Sequence, residues 1–303
     1  MITISGTTGK EKTVKGGALA RILITGADGM LGRSMIPVLE EKNELLPTDL
    51  PGTDITDADS FLKKVRSFKP DTVIHLASMT DVDGCEEDPD SAFRINALGT
   101  RNVALACADN GAEMVYLSTG SIYSGTSETP YTEYDTPDPV NVYGRSKYYG
   151  ELYMRDIVSR FYIFYTCWLF GGAAEDKKFI PKILELGRTS KTLDIVDDKF
   201  GSPTYTNDLA AEIAEVIRTG YYGRYHCVNE GYVSRYEEAE EILRIAGITG
   251  CTLNPVSSAR FELPAPRPRS EAMINYNLSL MGRKPLRNWR EALSDYILSE
   301  LIP

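Results

Sequence analysis

RILITGADGMLGR, Arg21 to Arg33, is the stretch that decides the fold. Ile22 to Thr25 reads as a short buried strand, glycine follows at every third position (Gly26, Gly29, Gly32), and apolar Met30, Leu31, Met35, Ile36 and Leu39 then return at nearly helical spacing. Strand, glycine turn and helix in that order set a helix N-terminus beside backbone that carries no side chains. A dinucleotide pyrophosphate is held in this way, because the helix dipole and the free N–H groups of the first turn favour its charge. Glycines also serve ordinary turns, so the strand before the triplet and the helix after it carry the reading.

Downstream the same alternation continues. Glu44 to Asp49 reads as a second strand, ending in an acid about twenty residues past the glycine loop, where a carboxylate can accept both hydroxyls of an adenine ribose. Asp49 therefore leans toward NAD, whereas Arg33, placed to neutralise a 2′-phosphate, leans toward NADP. A helix capped by Asp or Thr starts over Thr53 to Ala58, and Asp71 to Ala77 is a third strand. Asp81 to Asp90 reads as an acidic loop, Ser91 to Asn110 as a long helix, and Glu113 to Thr119 as a fourth strand. Strands separated by such helices imply right-handed crossovers and a parallel sheet covered on both faces, an α/β Rossmann-type doubly wound fold.

Tyr123 to Asn141, rich in Ser, Thr, Pro and Asp, is a loop. A helix from Val142 to about Ser159 and a buried strand from Phe161 to Leu169 follow. Beyond it the alternation loosens into a helix near Phe179 to Leu186, a hairpin-like stretch to Asp198, a helix over Asp208 to Arg218, a strand over Gly223 to Val228, and helices over Tyr236 to Ala246 and Trp289 to Leu301. We expect residues 1–20 to be a flexible extension, 21–170 the dinucleotide-binding domain, and 171–303 mainly a smaller substrate lobe with some segments returning to the first. The cleft then lies at the carboxyl ends of the strands.

With 303 residues, 42% hydrophobic and 25% charged, the chain has the composition of a soluble globular protein, and its opening lacks the apolar core of a secretory signal. A net charge of −10 argues against nucleic acid or an anionic membrane as a partner. Five scattered cysteines without a CxxC pair suggest a reducing cytoplasm and no structural zinc. Only His75 and His226 are present, each inside an apolar strand and read as a packed histidine, which leaves little for a metal centre or a histidine-dependent hydrolase.

Tyr143 and Lys147 stand one helical turn apart on one face. A phenol of pKa about 10 is a poor proton donor at neutral pH unless its anion is stabilised. A lysine ammonium beside it, with a nicotinamide cation, lowers that pKa and makes it a usable acid. Thr119, or Ser118 beside it, closes strand four and is placed to hydrogen-bond the same substrate oxygen. YxxxK alone is often surface decoration; after a glycine loop and a strand-ending Ser-Thr it reads as catalytic.

GADGMLG, STGSIYSG, NVYGRSKYYGE, CWLFGG, FGSPTYTNDLA and RPRS, in this order and spacing, resemble the extended short-chain dehydrogenase/reductases, and among them the dTDP-4-dehydrorhamnose reductases. The likeness runs from Arg21 to the C-terminus. It implies NAD(P)H-dependent reduction of the 4-keto group of dTDP-4-dehydro-6-deoxy-L-mannose to dTDP-L-rhamnose, with no metal in the chemistry. By the resemblance Tyr143 donates the proton, Lys147 binds the nicotinamide ribose and lowers the tyrosine pKa, and Thr119 hydrogen-bonds the ketone. Gly26, Asp28, Gly29, Met30, Leu31 and Gly32 match the pyrophosphate loop, Asp49, Asp54 and Ile55 the adenosine side, and Leu76, Ala77 and Ser78 the strand end beside the cofactor. Trp168 falls against the sugar, and Arg267 is placed to grip the diphosphate. Some relatives dimerise, so a homodimer is compatible with the resemblance. The family usually has aspartate where this chain has Gly120, and often asparagine where it has Lys178. A nucleotide-sugar 4-epimerase uses the same Tyr/Lys pair, and a reductase-like regulatory subunit of methionine adenosyltransferase shares the fold. A 4,6-dehydratase needs an acid pair that Gly120-Ser121 does not supply.

Overall fold

The computed structural model describes residues 19–172, 176 and 178–302. The expected extension over residues 1–20 thus lies almost wholly outside the described residues.

The first half lays down β1 (Ala20–Thr25), α1 (Met30–Leu39), β2 (Asn43–Thr48), α2 (Ala58–Phe68), β3 (Thr72–His75), α3 (Val82–Glu87), α4 (Pro89–Ala92), a π-helical turn over Phe93–Gly99, α5 (Thr100–Asn110), β4 (Glu113–Thr119), α6 (Val142–Ile157) and β5 (Phe161–Thr166). The second half adds β6 (Leu169–Phe170), α7 (Phe179–Thr189), β7 (Thr192–Val196), β8 (Phe200–Gly201), β9 (Thr204–Tyr205), α8 (Thr206–Val216), β10 (Gly223–His226), β11 (Val233–Ser234), α9 (Arg235–Ile245), β12 (Thr252–Val256), α10 (Tyr276–Leu280) and α11 (Trp289–Tyr296). Six strands form one parallel sheet in the order β10-β5-β4-β3-β1-β2. The reversal of order between β1 and β3 opens a crevice at the strands' carboxyl ends, where ligands of doubly wound sheets bind.

Burial on both faces explains the unbroken apolar strands. On one face Leu23, Val73, Met114, Tyr116 and Ile163 pack with Phe61 and Val65 of α2, Val103 of α5 and Met154 of α6. On the other, Ile22, Ile24, Ile74, Val115 and Phe164 meet Leu31 and Met35 of α1 and Leu209 and Ile213 of α8. A third core, built on Ile183, Leu184, Ile242, Trp289 and Tyr296, belongs to the second half. No helix among the described residues is long and apolar enough to cross a membrane.

Two local readings of the sequence need correction. The acidic stretch from Asp81 to Asp90 is not a loop but holds two short helices, because the acids cap them: Asp81 accepts from the Gly84 N–H at 3.1 Å and Asp88 from the Ser91 N–H at 3.0 Å. The stretch before Asp198 is not a hairpin either. Its strand, β7, pairs in parallel with β12, sixty residues on. In addition, the strand expected to reach Leu169 stops at Thr166, and Trp168 beyond it adopts a left-handed φ of 46°.

Candidate active site

The glycine loop is shaped by what lies against it. At Gly26 φ is +69°, and a Cβ there would fall 2.6 Å from the Ala77 nitrogen and 2.8 Å from the Leu76 carbonyl carbon. At Gly32 a Cβ would lie 2.5 Å from the Ala27 carbonyl oxygen. The first glycine therefore lets the loop touch the end of β3, and the third lets α1 sit down on the loop. Helix α1 starts at Met30 after Gly29, with neither a side-chain cap nor an acid in its first turn. Its first N–H groups thus have no intrahelical or capping acceptor. An uncapped, positive helix end beside a loop with glycine at 26, 29 and 32 fits a diphosphate.

Around this loop, Asp49 and Arg33 flank Asp28. The Asp49 carboxylate accepts from the Asp28 N–H at 2.9 Å and from the Leu50 N–H at 2.8 Å, while Arg33 Nε donates to the Asp28 carbonyl at 2.8 Å. A carboxylate offers about four acceptor positions, so Asp49 retains capacity for ribose hydroxyls. Asp54 folds back instead, taking the N–H and hydroxyl of Thr56 at 2.8 Å each. Ile55 is buried against Gly99. Ser78 donates to Asn96 Oδ1 at 2.9 Å, and the same amide reaches the Met79 backbone and Ser146 Oγ on α6. Asn96, buried on the π-helical turn, was not singled out from the sequence. It clamps the end of β3 to the helix that carries Tyr143 and Lys147.

Helix α6 is set by its cap. Asn141 Oδ1 accepts from the Gly144 N–H at 2.8 Å, and its Nδ2 donates to the Pro266 carbonyl at 2.9 Å, tying the helix start to the proline-rich segment Pro264-Ala265-Pro266-Arg267-Pro268. Tyr143 sits in the first turn and hydrogen-bonds the Thr119 side chain at the carboxyl end of β4. Thr119 also accepts from the Ser121 N–H at 3.2 Å, whereas the buried Ser118 hydroxyl has no partner among the described residues. Lys147 follows one turn later, 4% exposed, with Nζ 4.3 Å from the Tyr116 ring centroid.

In the protein without cofactor, burial dominates the electrostatics of Tyr143 and Lys147. Burial pushes Tyr143 up to about 12, the Thr119 hydrogen bond draws it partly back, and the Glu271 carboxylate raises it further. Burial also brings Lys147 down to about 7. Desolvation is the largest effect on each group, so Tyr143 is a neutral phenol with its proton in place. Both histidines are packed, neutral groups held near 3, chiefly by burial. Thr100 spends its proton on the Asn96 carbonyl at 2.6 Å, so it accepts from His75 Nε2–H at 3.0 Å, and Nδ1 accepts from Thr25 at 2.8 Å.

The sugar side shows three further arrangements. Trp168 keeps its left-handed backbone with the Arg235 guanidinium 3.4 Å from its ring centroid, Gly201 close against the indole, and Nε1 donating to Glu271 Oε2 at 3.2 Å. Arg267 forms a two-pronged pair with Asp83 at 3.0 and 2.9 Å and also donates to the Ala265 carbonyl at 2.7 Å. Its fork is therefore already engaged, and Asp83 gave no sign in the sequence of being its partner. A cavity of about 500 Å³ beside it is lined by Lys199, Arg267 and Arg269 with Ser124 to Thr126. Lys178 lies exposed at the start of α7. Among the described residues no three His, Cys, Asp or Glu side chains gather in a metal-binding group.

Comparison with known proteins identifies the family. The RmlD substrate binding domain family matches residues 20–301. A dTDP-4-dehydrorhamnose reductase of Mycolicibacterium smegmatis is 34% identical over 280 residues, spanning 91% of this chain and 85% of that protein. The crystal structure of a dTDP-4-dehydrorhamnose reductase from Clostridium acetobutylicum superimposes with a TM-score of 0.88 at 39% identity, covering 91% of this chain and 98% of that one. One from Bacillus anthracis, in complex with NADP, gives 0.89 at 35% identity, with 92% and 99% covered. The chain therefore belongs to the RmlD family, that of the dTDP-4-dehydrorhamnose reductases.

Proposed function

We propose that this protein reduces the 4-keto group of dTDP-4-dehydrorhamnose to give dTDP-L-rhamnose, using NADPH or NADH. The observation that carries the reading is the Tyr143 phenol bonded to Thr119 at the carboxyl end of β4, with Lys147 one turn away, in the same sheet whose β1 runs into the Gly26–Gly32 loop. The uncapped start of α1 and the loop from Gly26 through Asp28, Gly29, Met30, Leu31 and Gly32 would hold the diphosphate of the cofactor. Asp49 and Arg33 would bind the adenosine side, and Leu76, Ala77 and Ser78 would lie beside the nicotinamide end. The chemistry a bound nicotinamide would supply is a hydride.

The protein's own groups handle the proton and the oxygen. Thr119 and Tyr143, bonded to each other in the free protein, would each turn a hydroxyl to the ketone oxygen when it enters between them, so negative charge that develops there would meet two donors. Tyr143 then gives up its proton. A phenol held near 12 is a reluctant acid in the resting protein but a good partner for an alkoxide, which is far more basic. Lys147 is placed to offset the tyrosinate that results. Trp168 packs beside the sugar, and Arg267 receives the diphosphate by exchanging Asp83 for it. We further take residues 21–170 as the cofactor domain, 171–303 as mainly the substrate lobe, and the working form as a cytoplasmic protein capable of dimerising.

The test is consumption of NADPH or NADH with the dTDP-linked 4-keto-6-deoxy sugar. Stoichiometric oxidation that drops ~10²- to 10⁴-fold in Tyr143→Phe supports a reductase. Turnover of the sugar without net coenzyme consumption would favour an epimerase, and no turnover a binding subunit.

A further inference from the structure

The loop after β4 and the segment after the proline-rich stretch meet at a carboxylate that the reaction just described does not use. A Cβ at Gly120 would lie 3.3 Å from Glu271 Cβ and 3.3 Å from its carbonyl oxygen, so the absence of a side chain at 120 admits Glu271 to this position. Its backbone is fixed there: the N–H donates to the Phe200 carbonyl at 2.8 Å, and its own carbonyl accepts from Cys167 Sγ at 3.2 Å. One carboxylate oxygen accepts from Ser121 Oγ, the other from Trp168 Nε1 at 3.2 Å. Trp168 is itself held by Arg235 and Gly201, so the indole N–H presents a fixed donor. Glu271 is only partly buried and, among the described residues, forms no ion pair with Lys or Arg.

A carboxylate with about four acceptor positions and two partners keeps two for a ligand. The 3.3 Å approach of its Cβ to position 120 places it beside Thr119, at the reacting end of the crevice, and its charge raises the Tyr143 phenol. In a 4-keto-6-deoxyhexose the ketone carbon has two ring neighbours. C5 bears the methyl group, so only C3 offers a hydroxyl. With the ketone oxygen on Thr119 and Tyr143, the Ser121–Glu271–Trp168 group, two residues past Thr119, is the acceptor next along.

We infer that Glu271 binds the C3 hydroxyl of the sugar and sets specificity for substrates that carry it. The inference rests on the reductase reading above. A site built around a hydroxyl discriminates strongly against an analogue lacking it, because its buried polar groups are then left unpaired.

The test compares the 4-keto-6-deoxy sugar nucleotide with its 3-deoxy analogue in the wild-type protein, Glu271→Ala and Glu271→Gln, reading kcat/KM and, by fluorescence, NADPH binding. Glu271→Ala should lose on the order of 10- to 100-fold on the hydroxylated sugar and less than about threefold on the 3-deoxy analogue. Glu271→Gln, which keeps an acceptor, should fall between wild type and Glu271→Ala on the hydroxylated sugar. Unchanged NADPH binding shows that each variant is folded, and the glutamine variant carries the comparison alone if the alanine variant does not fold. Equal losses on both sugars, or no loss on either, overturn the assignment while leaving the reductase reading intact. A wild-type protein that turns over neither sugar overturns both.

Discussion

Replacing Lys147 by methionine tests the burial on which the site's electrostatics rest. Lys147 is 4% exposed and titrates near 7 in the folded protein against 10.5 when free. Between those two values the unfolded chain holds a proton that the folded chain lacks, so stability rises with pH across the window. Lowering the pH from 10.5 to 7 therefore costs stability, and below 7 the penalty is complete. The gap, at ~1.4 kcal/mol for each tenfold change in proton activity, bounds the effect at ~5 kcal/mol, and we expect ~2–4 kcal/mol to be realised. Methionine fills much of the same space over Tyr116 without a charge. Urea unfolding of cofactor-free wild type and Lys147→Met at pH 7 and pH 10 reads the difference, and comparing the two proteins cancels groups they share. The variant should gain relative to wild type as the pH falls, while its reductase rate collapses. A stability difference that stays constant between the two pH values would refute the burial argument.

Three other outcomes follow from the geometry. Gly26→Ala puts a Cβ 2.6 Å from the Ala77 nitrogen at a φ of +69°, so the loop must move; NADPH affinity by fluorescence titration should drop on the order of 100-fold, ~3 kcal/mol. His226, held near 3, disfavours the folded state as the pH falls from 6.5 toward 3, because the unfolded chain binds the proton first. Buried Glu133, Glu151 and Glu238, all raised by desolvation, act in the opposite sense above their ordinary range, so the readout is the difference between wild type and His226→Gln. That difference should shift in favour of the variant by ~2 kcal/mol between pH 6.5 and 4 in chemical unfolding. Arg267→Ala should raise KM for the nucleotide sugar about tenfold with kcat little changed, whereas Asp83→Ala, which frees the guanidinium, should lower KM. The lost surface pair costs under ~1 kcal/mol of stability in either variant.

Local chemistry was legible in the chain and distant partnership was not. The strand, glycine and helix order from Ile22 to Leu39 announces the fold because each residue acts through its immediate neighbours. Tyr143 and Lys147 are legible because four positions on a helix make one turn. Asp81 and Asp88 look like loop acids until each is seen to cap the short helix that starts at the next residue, by accepting from the N–H three positions on, where alternation of apolar residues has no room to register. Glu271, Asp83 and Asn96 carry no local signal at all. Glu271 matters because the chain brings it against Ser121 and Trp168, 150 and 103 positions away. Asp83 reaches Arg267 across 184 positions. The raised pKa of Tyr143 was hidden for a related reason: spacing to Lys147 reports the attraction, but desolvation depends on everything packed around both groups.

The central claim is that hydride reaches the sugar's C4 while Tyr143 supplies the proton to its oxygen. Turnover with NADPH deuterated at the transferred position, followed by NMR of the sugar nucleotide, tests it most directly. We predict one deuterium at C4 for each coenzyme oxidised, abolished in Tyr143→Phe. Product without deuterium at C4, or sugar converted while the coenzyme stays reduced, would contradict it.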